Sequence, residues 1–243
     1  MDKYGLIGFP LAHSFSRDFF STKFRKEGIN SQYCNFEIQS ITQLYDVIRN
    51  NPQLRGLNVT IPYKEEVLPF LDELSETAKI IGAVNVIKIE NEKLIGFNTD
   101  YIGFKNSIVP LICPNKHQQA LILGTGGASK AIAQVFSDLG ITWRYVSRTK
   151  KNHHFTYDEL TETVLSDYTV IVNASPVGTF PNIDECPSIP YEYLTPHHIL
   201  YDLVYNPEET LFLQKGKERG VQTKNGKEML ELQALAAWEI WQS

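Results

Sequence analysis

Lys64 sits in the stretch GLNVTIPYKEE, Gly56 to Glu66, where an apolar run ends and a helix is expected to begin. Pro62, Glu65 and Glu66 read as a first helical turn, where peptide dipoles favour negative charge. Both glutamates obey that preference and Lys64 breaks it. A local rule broken without visible compensation points to a residue set by function. An ammonium so placed can stabilise a developing alkoxide and donate a proton to it. The plain alternative is a solvated surface lysine. Asn58, Thr60, Asn85, Asn98, Thr99 and Asp100 also fall at or near the ends of expected strands, where α/β sheets bind ligands. Asp100 has a plain alternative too, as the N-cap of a helix over 101–108.

Two further stretches carry chemistry. PLAHSFS puts Ser14 and Ser16 in one loop after a strand, where two hydroxyls can hold a carboxylate. Helix capping is the competing role for either serine. GTGGAS, Gly124 to Ser129, follows an apolar strand and opens a helix. Glycines there permit a tight turn and close approach of a pyrophosphate, which the free N–H groups of the helix start then bind. Ser129 stands at the third glycine position of G-x-G-x-x-G. A P-loop is excluded, because Ser129 and Ala131 replace residues that motif needs. The next strand ends in Ser147-Arg148-Thr149-Lys150-Lys151 and has no acidic residue to hold ribose hydroxyls. Arginine, hydroxyls and lysines suit a 2′-phosphate instead, so NADP(H) is the expected cofactor.

These residues need a scaffold of alternating strands and helices. Strands are expected over 4–8, 33–38 and 56–59, with helices between them, and a hairpin within AVNVIKIENEKLIGFNTD, Ala83 to Asp100. A second α/β series begins near Gln119, with strands in ALILG, TWRYVSRT, YTVIVNAS and HILYDLVY. A final helix runs from about Lys227 to Trp241 with a broad apolar stripe. The expected class is α/β in two domains, with the boundary near residues 100–102. Residues 1–101 would form the first domain, with a mostly parallel sheet. Residues 102–226 would form a Rossmann-type NADP-binding domain, and the helix at about 227–243 would pack back on the first.

Composition narrows the function classes. The chain has 243 residues and a net charge of -5, with no basic block to attract nucleic acid or an anionic membrane. No apolar run approaches a membrane span, and Met1-Asp2-Lys3-Tyr4 does not read as a signal peptide. Cys34, Cys113 and Cys186 are few, odd in number and scattered, which suggests a reducing compartment and a cytoplasmic protein. The pairs His153-His154 and His197-His198 lack ligand spacing, so no metal site is expected. The expected partner is a small molecule, bound by a monomer or homodimer.

Taken in order, S-x-S, N-V-T-x-P-x-K, G-A-V-N, N-T-D, G-x-G-G-A-S, S-R-T, Y-D-x-x-Y-x-P and N-G-x-x-M-L-x-x-Q-A cover nearly the whole chain. Together they resemble the shikimate dehydrogenase family. The resemblance implies NADPH-dependent reduction of 3-dehydroshikimate to shikimate, in the pathway to aromatic amino acids, by a substrate-binding domain over 1–101 and a Rossmann domain with a cleft between them. It implies that Ser14 and Ser16 hold the carboxylate, and that Thr60, Asn85 and Asp100 hold the ring hydroxyls. Lys64 would be the acid/base, oriented by Asp100. Tyr205 and Gln233 would complete the substrate contacts. Gly124, Thr125, Gly126, Gly127 and Ala128 would bind the pyrophosphate, and Ser147, Arg148 and Thr149 would face the 2′-phosphate. Glu76, Leu203 and Gly226 match positions near the cofactor.

The chain departs from the family pattern in three places. Phe15 stands between the serines where lysine is frequent, the adenosine loop reads S-R-T-K-K, and the sequence stops soon after its last expected helix. Three rival readings share parts of the pattern. A quinate/shikimate dehydrogenase with broader substrate and NAD/NADP use shares the whole scaffold. A non-catalytic sensor needs no acid/base pair, and a folate-linked dehydrogenase does not need the paired serines.

Overall fold

The computed structural model describes residues 1–11 and 14–243. It divides into two compact units, residues 1–102 with 233–243, and residues 103–232.

In the first unit, β1 (Asp2–Gly8) is buried from Tyr4 onward, as befits a strand covered on both faces. Next come α1 (Phe15–Glu27), β2 (Ser31–Glu37), α2 (Leu44–Arg49) and β3 (Leu54–Val59). β2 and β3 both pair with β1 in parallel. A single-turn helix α3 (Tyr63–Glu66) is followed by β4 (Glu73–Leu74), α4 (Glu76–Ile81), β5 (Val86–Glu90) and β6 (Lys93–Phe97). β5 and β6 form the expected hairpin, with Asn91 and Glu92 at φ 49° and 64°, the left-handed pair that a two-residue turn requires. The sheet order is β2-β1-β3-β5-β6-β4, antiparallel only at β3–β5 and β5–β6.

Alternation along the strands sends side chains to two apolar layers. Ile7, Leu57, Val59 and Ile87 join Tyr63 and Val84 in one. Tyr4, Leu6, Tyr33 and Val86 join Phe20, Phe24 and Trp241 in the other.

Helix α5 (Asp100–Ile108) leads into the second unit. There β7 (Gln119–Leu123), α6 (Gly127–Asp138), β8 (Thr142–Val146), β9 (His154–Phe155), α7 (Glu162–Asp167), β10 (Val170–Asn173), β11 (Ile199–Asp202), α8 (Leu211–Lys217) and β12 (Gln222–Lys224) alternate. All pairings are parallel, in the order β12-β11-β10-β7-β8-β9. That is the doubly wound Rossmann order, whose direction reverses between β7 and β10. The fold class is therefore α/β, as the sequence pattern implies. The short strands β4, β9 and β12 carry too few residues to show any periodicity.

The last helix, α9 (Lys227–Gln242), divides between the units after Leu232. Near its end Trp241 stacks on Tyr4 at 4.9 Å and donates its indole N–H to the Ile87 carbonyl at 3.0 Å. A Cβ at Gly56 would collide with the same ring, so the strand is thinned to admit it. Trp241→Ala is expected to destabilise the first unit by about 3–5 kcal/mol, the usual cost of removing a buried Trp. Urea denaturation followed by far-ultraviolet circular dichroism measures it. A loss below about 1 kcal/mol would mean that this helix end does not anchor the sheet.

Candidate active site

In the first unit the polar residues gather where β3 and β6 end and β5 begins. Chain direction explains the meeting, since β3 ends at Val59, β5 starts at Val86 beside it, and β6 ends at Phe97. Lys64 follows β3 by one turn, and its carbonyl accepts from the Val84 N–H at 2.7 Å. Its Nζ donates to Asp100 Oδ2 at 2.6 Å, with the two side chains 16% and 9% exposed. Asp100 Oδ1 accepts from Asn85 Nδ2 at 3.0 Å. Asn85 in turn accepts the Thr99 N–H at 2.7 Å.

Two local expectations change here. α3 is only one turn long, so the dipole that made Lys64 look misplaced is weak. Asp100 is not the cap of its helix, because Asn98 Oδ1 accepts the Tyr101 N–H at 3.1 Å. The Asp100 carboxylate is thereby left to Lys64 and Asn85.

Ser14 is the N-cap of α1, accepting from the Arg17 N–H at 3.2 Å. Its own proton stays available, so capping and holding an anion are compatible. The unpaired N–H groups and positive end of α1 favour the same anion. Ser16 lies in the first turn of that helix. Thr60 is half-buried just past β3, its methyl packed so close to Gly8 that a Cβ there would clash. Asn58 is buried, accepting from the Tyr33 hydroxyl at 2.7 Å and donating to the Asn85 carbonyl at 3.4 Å. Gln233 is buried on the part of α9 counted with this unit. Glu76 stands apart, exposed at the start of α4 and paired with Lys79 at 2.6 Å.

In the second unit Gly124 has φ 106°, which side chains rarely adopt. Thr125 follows it, Gly126 caps α6, and Gly127 and Ala128 form its first turn. A Cβ at Gly126 would meet nothing within 4 Å, so open space lies before the unpaired N–H groups of α6. This cradle fits a pyrophosphate. Ser129 replaces the third glycine without cost: it is fully buried and donates to the Gly126 carbonyl at 2.6 Å.

After β8, Ser147 donates to the Thr149 carbonyl at 2.5 Å, while Arg148 and Thr149 are exposed. Lys150 is already engaged, bonding both oxygens of Glu159 at 2.5 and 2.7 Å. Arg148 and Lys151, both exposed, are the other cations of this loop. Leu203 and Gly226 lie together, since a Cβ at Gly226 would strike the Leu203 carbonyl. Tyr205, beyond them, is 39% exposed.

A network that sequence reading missed sets this strand-end region. Asp202 is fully buried at the end of β11. It accepts from Val204 N–H at 3.0 Å, Asn173 Nδ2 at 2.9 Å and the Thr210 hydroxyl at 2.6 Å. Asn173 also accepts from the Ser175 hydroxyl at 2.6 Å, so the loops after β10 and β11 are tied to one carboxylate. The signal available was an acid and an amide at the ends of adjacent strand candidates, in YTVIVNAS and HILYDLVY. Burial pushes the Asp202 carboxyl up to about 6, against partial compensation by its three donors.

A raised folded pKa means the native chain binds more protons than the unfolded chain between the ordinary value of 3.8 and about 6. The contribution of Asp202 to stability therefore falls as pH rises through that window. The stability of wild type relative to Asp202→Asn should fall by roughly 3 kcal/mol between pH 3.5 and 7. Urea titrations of both proteins at several pH values check this. A pH-independent difference would mean that Asp202 does not titrate in that window.

Residues 6–87 match the family model described as the shikimate dehydrogenase substrate binding domain. The chain is 38% identical to a shikimate dehydrogenase (NADP(+)) of Clostridium beijerinckii, covering 100% of this chain and 92% of that relative. It is similar to the crystal structure of shikimate dehydrogenase 1 from Peptoclostridium difficile, with a TM-score of 0.87 and 40% identity, covering 100% and 92% of the two chains. A quinate dehydrogenase from Corynebacterium glutamicum in complex with NAD also gives a TM-score of 0.87, at 26% identity and 99% and 93% coverage.

Proposed function

The chain belongs to the shikimate dehydrogenase family, and we infer its function from that premise. It is an NADP-dependent oxidoreductase of the shikimate pathway, interconverting 3-dehydroshikimate and shikimate. The observation that carries the chemistry is the largely buried Lys64–Asp100 pair, whose carboxylate also accepts from Asn85.

Lys64 is the acid/base. In the direction of reduction its ammonium meets the negative charge that develops on the ketone oxygen and donates the proton that oxygen needs. In the direction of oxidation its amine accepts that proton. Asp100 orients the lysine and accepts from a neighbouring substrate hydroxyl. Thr60 and Asn85 hold ring hydroxyls, while Ser14 and Ser16, at the positive end of α1, hold the carboxylate. Gln233 and Tyr205 complete the substrate contacts. The bound nicotinamide supplies or accepts the hydride.

The first unit is the substrate-binding domain and the second the NADP-binding domain. The turn from Gly124 to Ala128 holds the pyrophosphate, and Ser147, Arg148 and Thr149 face the 2′-phosphate. Leu203, Gly226 and Glu76 are assigned to the cofactor as well. The three free cysteines suit a cytoplasmic setting. The protein acts as a monomer or homodimer on a free small molecule.

Purified protein should reduce NADP+ with shikimate and show much weaker turnover with quinate or with NAD+. Absorbance at about 340 nm, where the reduced nicotinamide absorbs, follows all four pairs. Comparable turnover with quinate or NAD+ would move the chain to the broader-specificity class. Absent turnover from a folded protein that binds shikimate would make it a sensor. Lys64→Ala should lower turnover by about two to four orders of magnitude, the range for a lost acid/base, with NADP+ affinity retained. Near-wild-type turnover in that variant would remove Lys64 from the chemistry.

A further inference from the structure

We propose that Asp202 is a positioning residue for the cofactor: through Asn173 it holds Ala174 and Ser175 against Gly124, and so sets the turn that receives the pyrophosphate. The inference rests on the pyrophosphate role given above to the turn from Gly124 to Ala128. A fully buried carboxylate is costly, and an apolar residue of the same size would avoid that cost. What the carboxylate does for its neighbours accounts for it. Val204 N–H and the Thr210 hydroxyl fix Asp202 itself, at 3.0 and 2.6 Å. Its remaining partner is Asn173, also fully buried, at the end of the adjacent strand β10.

An amide side chain has two similar ends, and its neighbours decide which way it turns. A carboxylate only accepts, so Asn173 presents Nδ2 to Asp202 at 2.9 Å. The same nitrogen donates to the Val177 carbonyl at 3.2 Å. The Asn173 oxygen is thereby turned to Ser175, accepting its N–H at 3.1 Å and its hydroxyl at 2.6 Å. Both donors and both acceptor positions of the amide are used. The Ser175 oxygen accepts in turn from the Val177 N–H at 3.4 Å. The loop from Ala174 to Val177 is closed on Asn173 in this way. Ala174 N–H also donates to the carbonyl of Leu123, the last residue of β7, at 2.9 Å. Gly124 follows Leu123, and a Cβ on it would come within 3.3 Å of the Ala174 carbonyl and of Ser175 Cβ. The first residue of the glycine turn therefore rests on the loop that Asn173 closes. Asp202 acts on that turn across β10, which lies between β11 and β7, and needs no contact with the ligand.

The test is calorimetric titration of the whole chain, near neutral pH, with NADP+ and with adenosine 2′-monophosphate, which has the adenosine half without the pyrophosphate. Urea melts are the folding control. Ser175→Ala removes one hydrogen bond from the loop and should raise the Kd for NADP+ about two- to tenfold. Asp202→Leu keeps the volume, removes the acceptors and should raise it at least as much. Asp202→Asn should stay within about twofold of wild type, because its oxygen can keep Val204 and Asn173 while the Thr210 hydroxyl turns to accept. Adenosine 2′-monophosphate should bind all three variants within about twofold of wild type. Unchanged NADP+ affinity in Ser175→Ala would overturn the positioning role, whether or not Asp202→Leu folds. Equal losses for the two ligands would also overturn it, because they mark a general loosening of the unit. Gly126→Val tests the turn separately. Its backbone, at φ -77°, admits a side chain, and a Cβ there meets no protein atom within 4 Å. The variant should fold and bind NADP+ about tenfold or more weakly, as bulk placed in the ligand's space. Unchanged affinity in Gly126→Val would overturn the pyrophosphate reading, and the role of Asp202 with it.

Discussion

The ion pair between Lys64 and Asp100 sets what the rest of the first unit must supply. Two opposite charges removed from water lose hydration that their mutual attraction repays only if further hydrogen bonds complete the shell. Here the completing group is Asn85, which donates to Asp100 and is itself held by the Thr99 N–H. Each of these residues hangs from a different element. Lys64 is tied to the main chain at Val84, Asn85 precedes β5, and Asp100 opens α5 once Asn98 has taken over the capping. The antiparallel turn of β5 against β3 brings them together. A sheet parallel throughout would place the start of β5 at the other end of β3 and leave Asp100 without its support.

The second unit meets a different demand, an open edge that suits the approach of a large anion. Parallel strands aim their carboxyl ends and the N-termini of the following helices at one edge, where peptide dipoles favour negative charge. Gly124 and Gly126 open that edge after β7, and Ser129 shows how the pattern tolerates change. A serine fits the third glycine position because its hydroxyl returns to the Gly126 carbonyl and needs no other partner. On the neighbouring strands the edge is ordered by Asp202, a buried carboxylate that holds two loops and the start of α8.

Fold likeness does not choose the substrate. The same TM-score of 0.87 relates this chain to a shikimate dehydrogenase and to a quinate dehydrogenase. What separates such proteins is carried by a few side chains on a shared frame. The loop after β8 illustrates this at the level of one residue. Lys150 suits a phosphate by its charge, yet Glu159 engages it. Both partners are well exposed, so the pair is weak and can yield to a stronger anion.

Much of this protein was legible in its sequence because the governing signals are local. Strand periodicity, the glycine turn before a helix and the hairpin at Asn91-Glu92 arise from neighbouring residues. The family motifs likewise occur in a readable order. Lys64 and Asp100 could be singled out as chemically able, and the two residues whose local roles looked doubtful proved to be partners. What the sequence alone could not show is which polar groups share a hydrogen bond. Tyr33 and Asn58, Asp202 and Thr210, and Lys150 and Glu159 meet only once strands are paired in register and loops are closed. The N-cap of α5 falls to Asn98 rather than Asp100 for the same reason, because a carboxylate with a buried cation beside it is better spent on that cation. Residue types determine what chemistry is available, and tertiary structure decides which groups are desolvated together, because hydrogen bonds and ion pairs act only over a few ångströms.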